Sequence, residues 1–183
     1  YTADPAHSVY DAASLTKAFA TNLAIMKLVE DERLDVDAPL RTYFPRQMKG
    51  KAVGGLTARQ LLQHSSGLPP GRPFFALAQE DKLIPTDPLR KQASEDYPYA
   101  LNDALYAHRS TRSAIWKLLL ESEPQEQDPE EPEVIYSDLN FMLLAALAEK
   151  LLGQPMDDYL VRYLYQPLGM AHTAFPPNLQ HPG

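Results

Sequence analysis

The apolar residues near the start of the chain recur at helical spacing. From residue 14 to residue 30 they follow the i, i+3, i+4 repeat that marks one face of a helix, at Leu15, Ala18, Phe19, Leu23, Met26 and Val29. A second, shorter helix is predicted within LTARQLLQHSSGLPP, where Thr57 suits the N-cap and Gly67 with Pro69 supplies the stop. Between the two helices, the run EDERLDVDAPL ends the first helix and Pro39 begins a loop.

The C-terminal part of the chain carries the other strong helical patterns. Ser110 suits the start of a helix in STRSAIWKLLLES. A longer helix is predicted to begin at Ser137 or Asp138 and to end before Gly153, and the next one has Pro155 in its first turn. Strand signals are scarce throughout.

The middle of the chain is less regular. Short helices are predicted near 74–80 and 99–107, in a stretch rich in proline and aromatic residues. The segment EPQEQDPEEPE, residues 123–133, is acidic and has no apolar residue except proline. Such a composition predicts a solvated loop.

Composition narrows the class of protein. The chain has 183 residues, of which 44% are hydrophobic, enough for one domain with a buried core. Its formal net charge of −7 disfavours nucleic-acid binding, which needs a basic face. There is no Cys, and the five histidines show no metal-ligand spacing, so neither a metal nor a cofactor is implied. No apolar run approaches the ~20 residues of a membrane span.

The tetrad Ser14-Leu15-Thr16-Lys17 sits at the start of the first predicted helix. Residues i and i+3 share one helix face, so the Ser14 hydroxyl and the Lys17 amine can meet. A serine needs a base to become a nucleophile, and Lys17 can be that base if burial and the helix dipole lower its pKa. The helix start also offers the Ser14 N–H as half of an oxyanion hole. Alternatively, Ser14 caps the helix and Lys17 extends into solvent.

Two further blocks give the tetrad a context. HSSGLP occupies 64–69, and YSD occupies 136–138 at the start of a long apolar helix. With their flanks, the three blocks resemble the serine β-lactamase and penicillin-binding-protein superfamily, in its class C β-lactamase-like branch. The resemblance covers about residues 8–69 and 134–175. It implies an α+β fold of the β-lactamase/transpeptidase type, of which this chain holds mostly the helical part with few strands.

The resemblance also implies residue roles. Ser14 would be the acylated nucleophile, and Lys17 would hydrogen-bond it and tune the proton transfer. Tyr136 would be the general base, alone or shared with Lys17, and would return the proton to the leaving group. A cationic Lys17 would lower the pKa of the Tyr136 phenol. The sequence leaves open which of the two is the base.

Three more residues are candidates for a secondary role. Asp138 stands where this family more commonly has Asn, and it suits a plain helix N-cap equally well. Ser137 and Asp138 also match the first two letters of the Ser-Asp-Asn motif of class A enzymes, but Leu139 follows. His64, with Ser66, invites a triad with Ser14, although the resemblance makes that block a structural turn beside the cleft.

One motif of the family is missing. No Lys-Thr-Gly occurs, and the His-x-Gly letters at 181–183 contain Pro182, which cannot donate to a strand ladder. We therefore expect residues 1–183 to form a single, incomplete β-lactamase-like domain with an insertion at about 70–133. Missing flanking segments or a second chain would complete the sheet, and the isolated segment would be inactive.

The leading functional hypothesis is a serine hydrolase that acts through an acyl-enzyme on D-Ala-D-Ala peptides or β-lactams. The substrate would be a small molecule or a peptidoglycan peptide. The alternatives are an esterase of the same family and a non-catalytic binding or scaffold module that kept the fold. Localisation stays open, although a bacterial enzyme directed at the cell wall would be periplasmic or extracellular.

Overall fold

The structure, a computed structural model, describes residues 10–102 and 104–175, with only the backbone of Asn102. The elements of this part are, in chain order, a π-helical turn (Lys17–Asn22), α1 (Leu23–Glu30), two 3-10 turns (Leu40–Thr42 and Ala52–Gly55), α2 (Ala58–Leu62), α3 (Phe74–Glu80), β1 (Leu89–Arg90), β2 (Tyr99–Asn102), β3 (Leu105–Ala107), α4 (Thr111–Leu120), α5 (Asp138–Leu152), α6 (Met156–Leu160) and a π-helical turn (Val161–Tyr165). Among these described helices, none is both long and apolar enough to cross a membrane.

The first helix runs without a break from residue 15 to residue 30, which confirms the predicted helix. Its first half is the π-helical turn Lys17–Asn22, which continues into α1. The Tyr165 hydroxyl donates a hydrogen bond of 2.6 Å to the Phe19 carbonyl in this turn. Short π-helical turns are rare and occur often at functional sites. This one begins at Lys17, the last residue of the Ser14–Lys17 tetrad.

The apolar face predicted for this helix is not its buried face. Leu15, Phe19 and Met26 each expose more than half of their surface. The buried positions are instead Ala20, Thr21, Ala24, Ile25 and Leu28. The prediction was wrong because the helix is apolar on two sides, and the spacing rule cannot tell which side meets a neighbour within this chain.

The helix α2 begins as predicted. The Thr57 hydroxyl accepts a hydrogen bond from the Gln60 N–H, and the Gln60 side chain accepts one from the Thr57 N–H, which forms a capping box. The helix ends at Leu62, before the predicted stop at Gly67. Two residues after Leu62, His64 adopts the left-handed conformation with a φ of +56°, and an α-helix cannot continue through that conformation.

The long helix α5 is the centre of the main core. Its residues Leu139, Leu143, Leu144 and Leu147 are fully buried, and α5 packs against the first helix, α2 and α6. Gly153 follows α5 with a φ of +73° and closes it as predicted. Burial of each of these leucines stabilises the fold by about 1.5 to 3 kcal/mol. Packing of the four side chains therefore fixes the position of α5, including its first residue.

A smaller cluster lies in the middle of the chain. The predicted helix near 74–80 is confirmed as α3, which packs on α4. The helix predicted near 99–107 is wrong: β2 and β3 lie there, in an antiparallel sheet of order β1-β3-β2. β2 and β3 form a short hairpin, and β3 also pairs with β1. The prediction was wrong because a short apolar run does not by itself distinguish a strand from a helix.

The acidic segment 123–133 contains neither helix nor strand, as predicted for a loop. Most of it is exposed. Its beginning is anchored, because the Gln125 N–H donates a hydrogen bond of 2.9 Å to the Gly67 carbonyl. Gly67 has a φ of +73°, and a Cβ there would clash with the Gln125 carbonyl oxygen. The loop and the HSSGLP block therefore meet at a position that only glycine fits.

We predict that Gly67→Ala destabilises the protein by about 1 to 3 kcal/mol, through the positive φ and the clash with Gln125. Urea unfolding of the two proteins measures the difference. Gly71→Ala is the matched control, since a Cβ at Gly71 meets nothing within 4 Å and the φ of Gly71 is not positive. Equal midpoints for the two variants would contradict the prediction.

Candidate active site

Ser14 lies in a tight turn immediately before the first helix. Ala13 has a φ of +43°, a conformation that costs a residue with a side chain about 1 to 3 kcal/mol. The Ala13 N–H donates to the Asp11 carboxylate at 2.8 Å, and the Leu15 N–H donates to the Ala12 carbonyl at 2.8 Å. These bonds hold the strained turn and set Ser14 at the helix N-terminus.

Lys17 lies at the centre of the polar groups around Ser14. Its Nζ donates to the Ser14 Oγ at 3.3 Å and lies 2.6 Å from the Asp138 Oδ1. The same Nζ is 5.2 Å from the centroid of the Tyr136 ring. Only 19% of the Lys17 side-chain surface is exposed, so the amine is largely withdrawn from water.

The pKa of Lys17 is raised. Burial acts to lower it, but hydrogen bonds to Asp138 and Tyr136 and the charge of Asp138 outweigh that effect. The amine therefore stays protonated at neutral pH. Lys17 could be the base only if its pKa were lowered, and this condition is not met, because Asp138 and Tyr136 together outweigh the effect of burial.

The pKa of the Tyr136 phenol is lowered. The hydrogen bond with Ser14 is the main cause, followed by the hydrogen bond with Lys17 and the charge of that ammonium, while Asp138 acts in the opposite direction. Tyr136 is 52% exposed, so the phenol faces both Ser14 and open solvent. Of the two candidate bases, Tyr136 is the one whose environment favours the deprotonated form.

Asp138 and Ser137 differ in where their side chains go. Asp138 is the first residue of α5, and its carboxylate pairs with Lys17 instead of capping the helix. Ser137 is fully buried, and its hydroxyl donates to the Pro69 carbonyl at 2.6 Å. Of the residues in the YSD block, Tyr136 and Asp138 thus face Ser14 and Lys17, whereas Ser137 ties α5 to the HSSGLP block.

His64 is near the site, but its ring nitrogen is occupied by other groups. Its Nδ1 accepts the Ser137 N–H at 3.1 Å and lies 3.0 Å from the Asn140 Nδ2. The imidazole ring packs against the Tyr136 ring, with 4.6 Å between centroids. Burial, and then the charge of Lys17, lower the His64 pKa. Within the described residues, no hydrogen bond joins His64 or Ser66 to Ser14, and the geometry of a triad is not formed.

Asn140 is a residue of this region that sequence reasoning missed. It is fully buried, and its Oδ1 accepts a hydrogen bond of 2.6 Å from the Ser66 hydroxyl. Its Nδ2 faces His64. The signal was present in the sequence: Asn140 is a polar residue in the midst of the apolar run of α5, and a buried amide requires partners.

The region contains no candidate metal centre: no group of three or more His, Asp or Glu side chains suited to a metal ion occurs within residues 10–102 and 104–175. The groups that meet at the site are a hydroxyl, an ammonium, a phenol and a carboxylate. These four groups can move a proton and form a covalent bond to an acyl group.

The chain is similar, in sequence and in structure, to proteins of a known family. The β-lactamase family profile matches residues 3–181. A putative D-alanyl-D-alanine carboxypeptidase of Escherichia coli K12 is 33% identical, and the match covers 94% of this chain and 35% of that protein. FmtA from Staphylococcus aureus matches 89% of this chain and 36% of its own with a TM-score of 0.56 at 20% identity. The match to a class C β-lactamase covers 90% of this chain and 36% of that protein, with a TM-score of 0.52 at 21% identity.

The chain belongs to the β-lactamase family, and the fold is of the β-lactamase/transpeptidase type. The resemblance to the class C-like branch and the predicted α+β class, with the helical part dominant, are confirmed. The chain spans about a third of the length of the curated relatives that it matches.

We predict that Asp138→Asn moves the pH profile of Ser14 acylation to lower pH as a whole. Without the carboxylate, the Tyr136 pKa falls further, so the acid limb, where the phenol must lose its proton, moves down. The Lys17 pKa loses the group that raises it, so the alkaline limb, where the ammonium is lost, moves down too.

The measurement is the acylation rate against pH for the wild type and the variant. Asp158→Asn is the control, since it removes the same charge from the exposed face of α6. An unchanged profile, or one moved to higher pH, would show that Asp138 does not set the two pKa values.

Proposed function

We propose that this chain supplies the nucleophile and the proton-transfer groups of a serine hydrolase that works through an acyl-enzyme. The observation that carries the proposal is the convergence of Ser14, Lys17 and Tyr136, with the Lys17 amine held protonated and the pKa of the Tyr136 phenol lowered. A phenol with a lowered pKa beside a serine hydroxyl is a general base within reach of the proton it must take.

The mechanism follows from these groups. The Tyr136 phenolate takes the proton of the Ser14 hydroxyl as the Ser14 Oγ bonds to the substrate carbonyl carbon. The Lys17 ammonium stabilises the phenolate before the transfer, and the Ser14 N–H at the helix N-terminus faces the developing oxyanion. The neutral phenol then gives its proton to the leaving nitrogen or oxygen as that bond breaks. In the second half, Tyr136 takes a proton from water as the water oxygen attacks the acyl carbon. The bond from that carbon to the Ser14 Oγ then breaks, and Tyr136 returns the proton to the Ser14 Oγ.

The substrate class that we favour is a D-Ala-D-Ala peptide or a β-lactam. Its support is the similarity to relatives named D-alanyl-D-alanine carboxypeptidases and to a class C β-lactamase. An ester substrate uses the same groups and is the alternative within the class. A non-catalytic module that kept the fold is the rival outside it, and the retention of Ser14, Lys17 and Tyr136 in one constellation argues against that rival.

We also propose that activity belongs to a larger assembly than these 183 residues. The sequence holds no Lys-Thr-Gly motif, and the family needs a second oxyanion donor besides Ser14. One face of the first helix, at Leu15, Phe19 and Met26, is exposed and apolar. We further propose that residues 70–133 are an insertion beside the site. This insertion contains α3, the three-stranded sheet and α4, and it would determine which substrates the site accepts.

The experiment that tests the function is covalent labelling of Ser14. We expect a fluorescent penicillin or a fluorophosphonate to attach to Ser14 in the full-length protein, because the hydroxyl has a base and a cation beside it. Mass spectrometry of the adduct peptide identifies the residue. The control is Ser14→Ala, and labelling that survives this substitution unchanged would mean that Ser14 is not the nucleophile.

Tyr136→Phe should lower the acylation rate by about 10²- to 10⁴-fold, the usual range for a general base. Because the ring is kept and the hydroxyl contributes no bond to the core, we expect thermal unfolding to be unchanged. Stopped-flow or gel-based labelling measures the rate, and calorimetry measures the stability. A loss below about fivefold with unchanged melting would exclude Tyr136 from the mechanism.

A further inference from the structure

We infer that His64 is a positioning residue that holds Tyr136 against Ser14, and that it does so as the neutral Nε2–H tautomer. The inference deepens the proposed function and rests on it. Its basis is a set of three contacts, one from His64 to each of three consecutive residues around the phenol.

The three contacts fix the backbone and the ring together. The Ile135 N–H donates to the His64 carbonyl at 2.9 Å, and the Ser137 N–H donates to the His64 Nδ1 at 3.1 Å. Between them, the Tyr136 ring packs against the imidazole in a tilted arrangement, with 4.6 Å between centroids and 35° between planes. The main-chain bonds on both sides of Tyr136 thus go to one residue, whose ring also supports the phenol.

Tyr136 needs this support because it lies outside regular structure. It precedes the first residue of α5 and exposes 52% of its surface. Neither a helix nor a strand fixes its backbone, and the core does not enclose its ring. Proton transfer needs the phenol oxygen within hydrogen-bond reach of Ser14, so something must restrict both the backbone and the side chain.

His64 is itself firmly held. Its backbone has a φ of +56°, and its ring also contacts Phe141, with 5.4 Å between centroids. The Asn140 Nδ2 lies 3.0 Å from the His64 Nδ1, and Asn140 is oriented by the hydrogen bond from Ser66. The Ser66 hydroxyl also accepts the Leu68 N–H. A chain of polar contacts therefore runs from the HSSGLP block through α5 to the backbone beside Tyr136.

This arrangement depends on the protonation state of His64. Two N–H groups, from Ser137 and Asn140, point at Nδ1, so that atom must present its lone pair. A proton on Nδ1 would point at both donors, and the hydrogen bond from the Ser137 N–H to the His64 Nδ1 would be lost. The charged groups around the ring act in opposite directions: the Lys17 ammonium disfavours imidazolium, whereas the Asp138 carboxylate favours it, and so does a Tyr136 phenolate.

The test uses two substitutions that separate the ring from the acceptor. His64→Asn keeps an acceptor near the position of Nδ1 and tolerates a positive φ, but it lacks the ring. His64→Phe keeps a ring and lacks the acceptor. Each is made in the full-length protein and in a Tyr136→Phe background, and the acylation rate with a fluorescent penicillin is measured. His172→Asn, at an exposed histidine, is the matched control.

In the wild-type background we expect a loss of about 100-fold for His64→Phe, the cost of displacing a catalytic group by about 1 Å, and about tenfold for His64→Asn. In the Tyr136→Phe background each should cost less than twofold, because His64 acts through the hydroxyl that is already absent. Equal losses in both backgrounds would show a general structural role and overturn the inference. If His64→Phe does not fold, the His64→Asn cycle decides alone.

The pH profile gives a second, independent readout. Below the ordinary imidazole range, the slope of log acylation rate against pH should steepen from one to two in the wild type, since both Tyr136 and His64 then take up a proton. It should stay at one in His64→Asn. A wild-type profile that matches the His64→Asn profile over the whole acid range in which both proteins stay folded would contradict the inference.

Failure of the proposed function would look different from failure of this inference. If Tyr136→Phe is acylated as fast as the wild type, the proposed base is wrong and the role of His64 falls with it. If Tyr136→Phe is slow but both His64 variants acylate at the wild-type rate, only the positioning role is overturned.

Discussion

The burial of one face of α5 is the constraint on which the site depends. Four fully buried leucines, Leu139, Leu143, Leu144 and Leu147, lock α5 against the first helix and α2. Because α5 begins at Asp138, this packing brings the residues at its start to the N-terminus of the first helix. Apolar packing thus sets the distance between the start of α5 and the N-terminus of the first helix. The polar side chains there then orient one another through hydrogen bonds and charge.

Within that frame, charge assigns the chemical roles. The Ser-x-x-Lys spacing brings the Lys17 amine to the Ser14 hydroxyl. It does not determine whether Lys17 or Tyr136 is the group that loses its proton and acts as the base. The Asp138 carboxylate is the main partner that raises the Lys17 pKa, and the Lys17 cation in turn lowers the pKa of the Tyr136 phenol. An Asn at position 138 would keep an acceptor for the amine but would remove the negative charge that helps to raise the Lys17 pKa.

Much of the helical part could be predicted from sequence, because capping signals and apolar spacing are local: the capping box at Thr57 and the stop at Gly153 are examples. The site candidates came from spacing and from a family resemblance. The strands at 99–107 were missed because a short apolar run is ambiguous between helix and strand. The buried side of the first helix and the contacts of the Asn140 amide could not be predicted, since each is decided by a partner distant in sequence. The raised Lys17 pKa belongs to the same group, because Asp138 lies far along the chain.

The grip of His64 on the start of α5 has a consequence for folding kinetics. Its hydrogen bonds join residues 73 and 76 positions apart, and contacts of such high sequence separation form late and slowly. Ser14 and Lys17, by contrast, meet within one helical turn. We therefore expect a refolding chain to bring the hydroxyl and the ammonium together before the phenol, so that reactivity at Ser14 would report completed tertiary packing.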